Sequence, residues 1–199
     1  MKNLIKMLCL VTITNIAFSQ QIVNKNSYNQ GNYIVNNNNK YFKDLYNTFD
    51  PFIGTWKYVN GNQTFKVVIW KSSRVRRLPF INCYIDEIQG DFSMIQDEGL
   101  PTQTIVYQSH KYFGGGTQYW PPAILISGVL NDTKTGGSIM DNCVAPYDDI
   151  SNVYGGVSID IFPTTPLTAH WLIYKYQDIT FSGQPQTFRV PLDIILTKQ

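Results

Sequence analysis

The sequence predicts an all-β domain of about eight to ten short antiparallel strands, closed as a barrel or stacked as a sandwich. Three observations carry this expectation. Tyr, Phe, Ile, Val and Thr are abundant, with aromatic residues alone making up 14% of the chain, and these side chains suit a pleated, half-buried surface. Runs of them have strand length and are separated by clusters of Gly, Pro, Asn and Asp. No window shows the apolar spacing of an amphipathic helix over three or more turns.

The elements follow in order. After a turn at Pro51, GTWKYV opens the first strand at Gly54, and Asn60-Gly61 marks a hairpin. QTFKVVIWK returns from Gln63, with Phe65, Val67 and Ile69 on one face and Lys66, Val68 and Trp70 on the other. Further strands are expected at 82–88, 91–96, 104–112, 123–130, 156–162, 170–176 and 188–197, with Gly90 as a bulge or bend and Asp97-Glu98-Gly99 as a turn.

The first nineteen residues have the parts of an export signal: Lys2 and Lys6, an apolar run from Met7 to Ile16, and small residues at Ala17 and Ser19. Cleavage is expected before Gln20, which removes Cys9 with the leader. The apolar run is shorter than the roughly 20 residues a membrane-spanning helix needs. The three expected regions are thus a signal peptide at 1–19, an Asn-rich mobile arm at 20–48 and a β-barrel domain at 49–199. The arm reading rests on NKNSYNQGNYIVNNNNKYF, whose aromatics follow no period. An exported protein of periplasmic or extracellular location, not membrane-spanning and monomeric, is the expectation.

Without the leader, fourteen Lys and Arg face fourteen Asp and Glu. A formally neutral chain lacks the basic stripe that nucleic acids require, and RVRR at Arg74 to Arg77 reads as a solvated loop. Cys83 and Cys143 remain, either as a disulfide or as two separate thiols. No zinc spacing, phosphate loop or nucleophile elbow occurs. His110 and His170 stand sixty residues apart without an evident orienting partner, and the neighbours Asp86 and Glu87 should face opposite sides of a strand. Asn131 to Asn142 fails the calcium-loop pattern. No catalytic residue, metal or cofactor is expected.

Gly54-Thr55-Trp56 resembles the opening of lipocalin-like proteins, in which a Gly-x-Trp begins strand one and the indole closes the barrel floor. A second resemblance covers nearly all of the mature chain. DPFIGTWKY at Asp50 to Tyr58, FKVVIWK at Phe65 to Lys71, DEIQGDF at Asp86 to Phe92 and VPLDIILTK at Val190 to Lys198 are similar to an uncharacterised lipocalin-like family of secreted Bacteroidetes proteins, a domain of unknown function. The resemblance implies an antiparallel up-and-down barrel with Gly54 and Trp56 in the floor, and a cation over the indole supplied by Arg189 or Lys198. It implies no chemistry.

Two functional readings follow. In the first, the barrel binds a small apolar molecule, with Trp56, Tyr58, Trp70 and Trp171 as lining and HKYFGGGTQYWPP, through Tyr112, Tyr119 and Trp120, as a lid or stacking platform. In the second, the aromatic loops make a surface module that binds a protein or a glycan.

Overall fold

The computed structural model describes residues 20–25, 39–77, 83–109, 123–141, 153–176 and 187–199. Eight strands form a closed antiparallel meander, the up-and-down barrel that the sequence predicts. They are β3 (Gly54–Asn60), β4 (Gln63–Arg77), β5 (Cys83–Gln96), β7 (Ile124–Asn131), β8 (Lys134–Asp141), β9 (Val153–Phe162), β10 (Thr168–Lys175) and β11 (Asp193–Lys198). Closure occurs twice: β11 returns to β3, and β7 pairs with β5 at Ile88–Gly90. Three short strands lie outside the ring: β1 (Gln21–Asn24), β2 (Lys40–Lys43) and β6 (Thr104–Gln108).

The long strand β5 organises the molecule. One edge pairs with β4 along nearly its whole length. The other edge is shared, β2 running parallel at Tyr84–Ile85, β7 antiparallel at Ile88–Gly90 and β6 antiparallel at Ser93–Gln96. Sequence reading splits β5 in two at Gly90. The strand instead runs through, and Gly90 serves packing, since a Cβ there would stand 3.0 Å from the Val68 carbonyl oxygen and 3.2 Å from Ile124 Cδ1. The β3–β4 hairpin forms where expected, with Gly61 at φ 61° and Asn60 opposite Gln63.

Side-chain alternation packs one apolar core inside the ring. Trp56 on β3, Phe65, Val67 and Ile69 on β4, Ile88 and Phe92 on β5, Val157, Ile159 and Ile161 on β9, Trp171 on β10 and Leu196 on β11 are all buried. Outward positions carry Lys57 and Lys66. The interior of this ring is apolar, whereas the interior of a transmembrane β-barrel is polar. Among the described residues no helix is long and apolar enough to cross a membrane.

Two expectations change. The segment read as a mobile arm contributes β1 and β2, which extend the sheet beyond the lower half of β5. The composition argument considered only apolar burial, whereas this segment docks through Lys25, Asp44 and Tyr41 as well as Phe42. Residues 26–38 lie outside the described residues. The other miss is β8, absent from the expected strands because its Thr-Gly-Gly-Ser lacks a β pattern. Gly137 explains the composition: a Cβ there would fall 2.2 Å from the Leu125 carbonyl oxygen, so only glycine lets β7 and β8 pack this closely beside the register shift in β7.

Candidate functional site

The two ends of the barrel differ. At the lower end Trp56 is fully buried, and its indole N–H donates to the Phe52 carbonyl at 2.9 Å. Phe49 and Phe52 pack beside it. The Lys198 ammonium lies 5.3 Å from the centre of the indole and donates to the Pro51 carbonyl at 2.9 Å. Burial lowers the Lys198 pKa, with Asp50 acting in the opposite sense. Gly54 has φ 131°, and a Cβ on it would sit 3.1 Å from Lys198 Cε. The Gly-x-Trp start therefore has a physical reason: a bend at the strand entrance and space for the stem of Lys198. Of the two cations left open by sequence, Lys198 takes the position. Arg189 does not. Its side chain is exposed, while its backbone carbonyl accepts from the Tyr107 hydroxyl and its N–H donates to the buried Asp141 carboxylate.

Midway up, Trp171 packs edge-on against Phe65, ring centres 5.9 Å apart, and Phe65 stands 6.2 Å from Phe92. The Trp171 indole N–H donates to the Pro191 carbonyl at 3.0 Å. Both indoles thus have satisfied N–H groups and no exposed face. Trp56 and Trp171 are packed core, not the ligand lining expected of them.

Above this layer the interior opens. A cavity of about 310 Å³ is lined by Tyr58, Asn60, Gln63, Phe65, Met94, Pro191 and Ile194. Apart from Pro191, which precedes β11, its walls are inward positions at the upper ends of β3, β4, β5 and β11, as the strand alternation requires. Of the expected lining residues only Tyr58 is here. Trp70 sits on the outer face of β4, because it alternates with Val67 and Ile69, and it lines nothing inside. Phe65, Met94 and Ile194 were missed as lining, although their inward parity could have marked them. Tyr112, Tyr119, Trp120, His110 and Cys143 lie outside the described residues. The stretch holding the expected lid is bounded by Ser109, whose hydroxyl donates to Asp91 at 2.9 Å, and by the buried Ala123. Cys83 is buried with Phe42 and Ile85 in a second, smaller core outside the ring.

Beneath the floor lies a buried charged assembly. The Asp86 carboxylate accepts from Tyr41 Oη at 2.6 Å and from the backbone N–H groups of Arg74 and Asp44 at 3.0 Å each. Asp44 accepts from Lys71 Nζ at 2.9 Å and from the N–H and hydroxyl of Thr48 at 2.9 and 2.8 Å. Burial by itself raises the Asp44 pKa, but the hydrogen bonds from Lys71 and Thr48 outweigh it and hold the group below its ordinary value. The Lys25 ammonium lies 3.5 Å from the centre of the Phe49 ring, and burial pushes its pKa down to about 8 despite Asp44, Asp86 and Glu87. Tyr41 is pushed up to about 12 by burial and by its bond to Asp86. Glu87 has a partner of its own, Gln89 Nε2 at 2.8 Å. The two adjacent acids thus hydrogen-bond different side chains, Tyr41 and Gln89, although both act on the Lys25 charge.

The remaining titratable candidates are separate. His170 Nε2 lies 2.7 Å from Asp193 Oδ1 at the outside of β10 and β11, an orienting partner that sequence did not identify. Glu98 leaves the 97–99 turn to meet Lys57 at 2.8 Å. Arg74, expected in a solvated loop, takes φ 56° at a bulge of β4, places its guanidinium 5.0 Å from the Tyr84 ring centre and donates to Gln20 Oε1 at 3.1 Å. Among the described residues, no three His, Cys, Asp or Glu side chains gather as a metal site.

Searches of curated proteins and of solved structures found no match. Across residues 1–199 the chain matches a family described as a family of unknown function (DUF6705), and it belongs to that family.

Proposed function

We propose that this is an exported, non-catalytic, lipocalin-like protein that binds a small apolar molecule at the mouth of its barrel. The observation that carries the reading is the 310 Å³ cavity above a closed floor, with Tyr58, Phe65, Met94, Pro191 and Ile194 as apolar wall and Asn60 and Gln63 at the polar rim. That volume lies at the lower end of the roughly 300–1,000 Å³ typical of small-molecule pockets. It suits a compact or flat ligand resting on Phe65, and not a long chain threaded through the core. The lipocalin-like kinship rests on Gly54-Thr55-Trp56 and on the cation over the indole; export rests on the leader at 1–19, and a Bacteroidetes origin on the extended resemblance.

The test has two arms. Native mass spectrometry of protein purified from its own source should show a bound molecule of a few hundred daltons. Titration with 8-anilinonaphthalene-1-sulfonate should give saturable fluorescence that Met94→Lys weakens at least tenfold, with the near-ultraviolet circular dichroism unchanged. Absence of both a bound species and probe binding would overturn the reading. So would a probe signal that Met94→Lys leaves intact.

A further inference from the structure

A series of contacts at the lower end of the barrel joins β1 to the floor indole. We propose that β1 and β2 form a proton-operated latch: their release, driven by the charge on Lys25, loosens the floor around Trp56 before the layer above gives way. The attachment is slight. β1 pairs with β2 alone, and β2 pairs with the ring at two positions, Tyr41 with Tyr84 and Phe42 with Ile85. The apolar contacts of this unit form a small core of Phe42, Cys83 and Ile85, separate from the core inside the ring. A segment with so few ladder bonds and so little apolar burial opens at a lower free energy than the whole domain.

Lys25, directly after β1, is buried with its ammonium 3.5 Å from the centre of the Phe49 ring, and among the described residues no oxygen accepts a hydrogen bond from it. The charges that face it are Asp44 after β2 and Asp86 and Glu87 on β5, which attract it, and Lys71 on β4, which repels it. Burial outweighs the attraction and sets the docked pKa at about 8 against an ordinary 10.5. The released strand therefore binds the proton more tightly. Docking is favoured as pH rises from 8 through 10.5, and below pH 8 the full cost of the buried charge is present. From pH 9 to pH 7 the ratio of released to docked chains rises about tenfold. Asp44, held below its ordinary value, and Tyr41, pushed up to about 12, change charge outside this window.

Phe49 carries the effect to the floor. Its ring receives Lys25 on one side and belongs to the main core beside Trp56. Its N–H donates to Asp44 at 3.4 Å, and its carbonyl accepts from the Phe52 N–H at 3.0 Å. The Phe52 carbonyl in turn accepts from the Trp56 indole at 2.9 Å. Departure of Lys25 uncovers the ring at the head of this series. Trp171, one layer higher, is tied instead to the Pro191 carbonyl and to the Phe65 ring.

The two indole N–H groups make the test direct. Hydrogen exchange of the full chain is followed by nuclear magnetic resonance at pH 7, 8 and 9, each rate being divided by that of the free amide or indole at the same pH. At pH 7 the amides of residues 40–43 and the Trp56 indole should open to the same extent within about threefold, and at least tenfold more often than the Trp171 indole. Opening of this lower set should fall about tenfold between pH 7 and pH 9. Lys25→Met keeps the side-chain length without the charge; it should reduce that opening at least tenfold at pH 7 and abolish its pH dependence. Tyr41→Phe loses the bond to Asp86 and should raise the opening while leaving the pH dependence in place, which separates a weaker attachment from the Lys25 charge. Should Lys25→Met fail to fold, the pH series of the wild type decides. Trp56 opening at the level of Trp171 and not with residues 40–43 would overturn the coupling, and opening of residues 40–43 that ignores pH or Lys25→Met would overturn the latch.

Discussion

Replacing Lys25 with Met should flatten a specific pH dependence of stability. Lys25 is 2% exposed, and its ammonium has a pKa of about 8 in the folded protein against an ordinary 10.5, with burial as the leading cause. At 1.36 kcal/mol per unit, this gap corresponds to about 3 kcal/mol. The sign follows from proton counts in the two states. Below pH 8 both states hold the proton, so the full cost of burying the charge is present. Between pH 8 and 10.5 the unfolded chain binds a proton that the folded chain lacks, so stability rises with pH. From pH 7 to pH 10 the integrated gain is about 2.5 kcal/mol. Tyr41, pushed up to about 12, acts in the opposite direction above pH 10. It is present in both proteins and cancels in their difference. The assay is urea unfolding of wild type and Lys25→Met at pH 7, 8, 9 and 10, followed by tryptophan fluorescence. Wild-type stability minus variant stability should rise by about 2.5 kcal/mol over this range. A difference constant within about 0.5 kcal/mol would refute the reasoning, because Lys25 would then be titrating as a solvated amine.

Two further outcomes can be measured in the same way. Gly137→Ala should cost about 1–3 kcal/mol, the usual range for overpacking, because the added carbon meets the Leu125 carbonyl and the Ile126 backbone at 2.2 and 2.8 Å; a loss below 0.5 kcal/mol in urea unfolding would count against such close packing of β7 and β8. Lys198→Met should cost about 1–2 kcal/mol by losing the contact with the Trp56 ring and the bond to Pro51, whereas Arg189→Met should change stability by less than about 0.5 kcal/mol; the reverse order would return the floor cation to Arg189.

The ring was legible in the sequence because its signals are local. Alternation in Phe65, Val67 and Ile69, the Gly61 hairpin and the run of apolar residues at Val157, Ile159 and Ile161 each specify a strand and its inward face. What escaped depended on partners distant in sequence. β8 has little apolar pattern because Gly137 answers to the approach of β7. β1 and β2 escaped because polar groups anchor them: Tyr41 and Asp86 are 45 positions apart, and Lys71 lies 27 positions beyond Asp44. The site was half legible. Parity identifies Tyr58 as inward, but nothing in the sequence sets the level at which the core stops and the cavity begins. That level is set by Trp171 packing against Phe65 across the ring. Size and aromaticity favoured the tryptophans as ligand lining; their buried N–H groups, each with a backbone acceptor, instead suit a permanent core.

The acids below the floor connect these results. A carboxylate that serves as a general base needs an oxygen free to take a proton and a pKa near the working pH. Asp86 receives three donors and Asp44 receives four, counting the longer contact of 3.4 Å from the Phe49 N–H. For Asp44 the hydrogen bonds from Lys71 and Thr48 hold the carboxyl below its ordinary pKa. The donors also come from separate parts of the fold: Tyr41 from β2, Thr48 and Phe49 from the turn before β3, and Lys71 and Arg74 from β4. A pair of buried acids collecting donors from three elements fastens those elements together, and Lys25 brings β1 into the same assembly over the Phe49 ring. Phe49 belongs to the main core beside Trp56. The charges that dock the N-terminal strands therefore share a side chain with the floor of the barrel. Closing the lower end and attaching the extra strands are, on this geometry, one packing problem, which leaves the upper end as the place where the interior meets solvent.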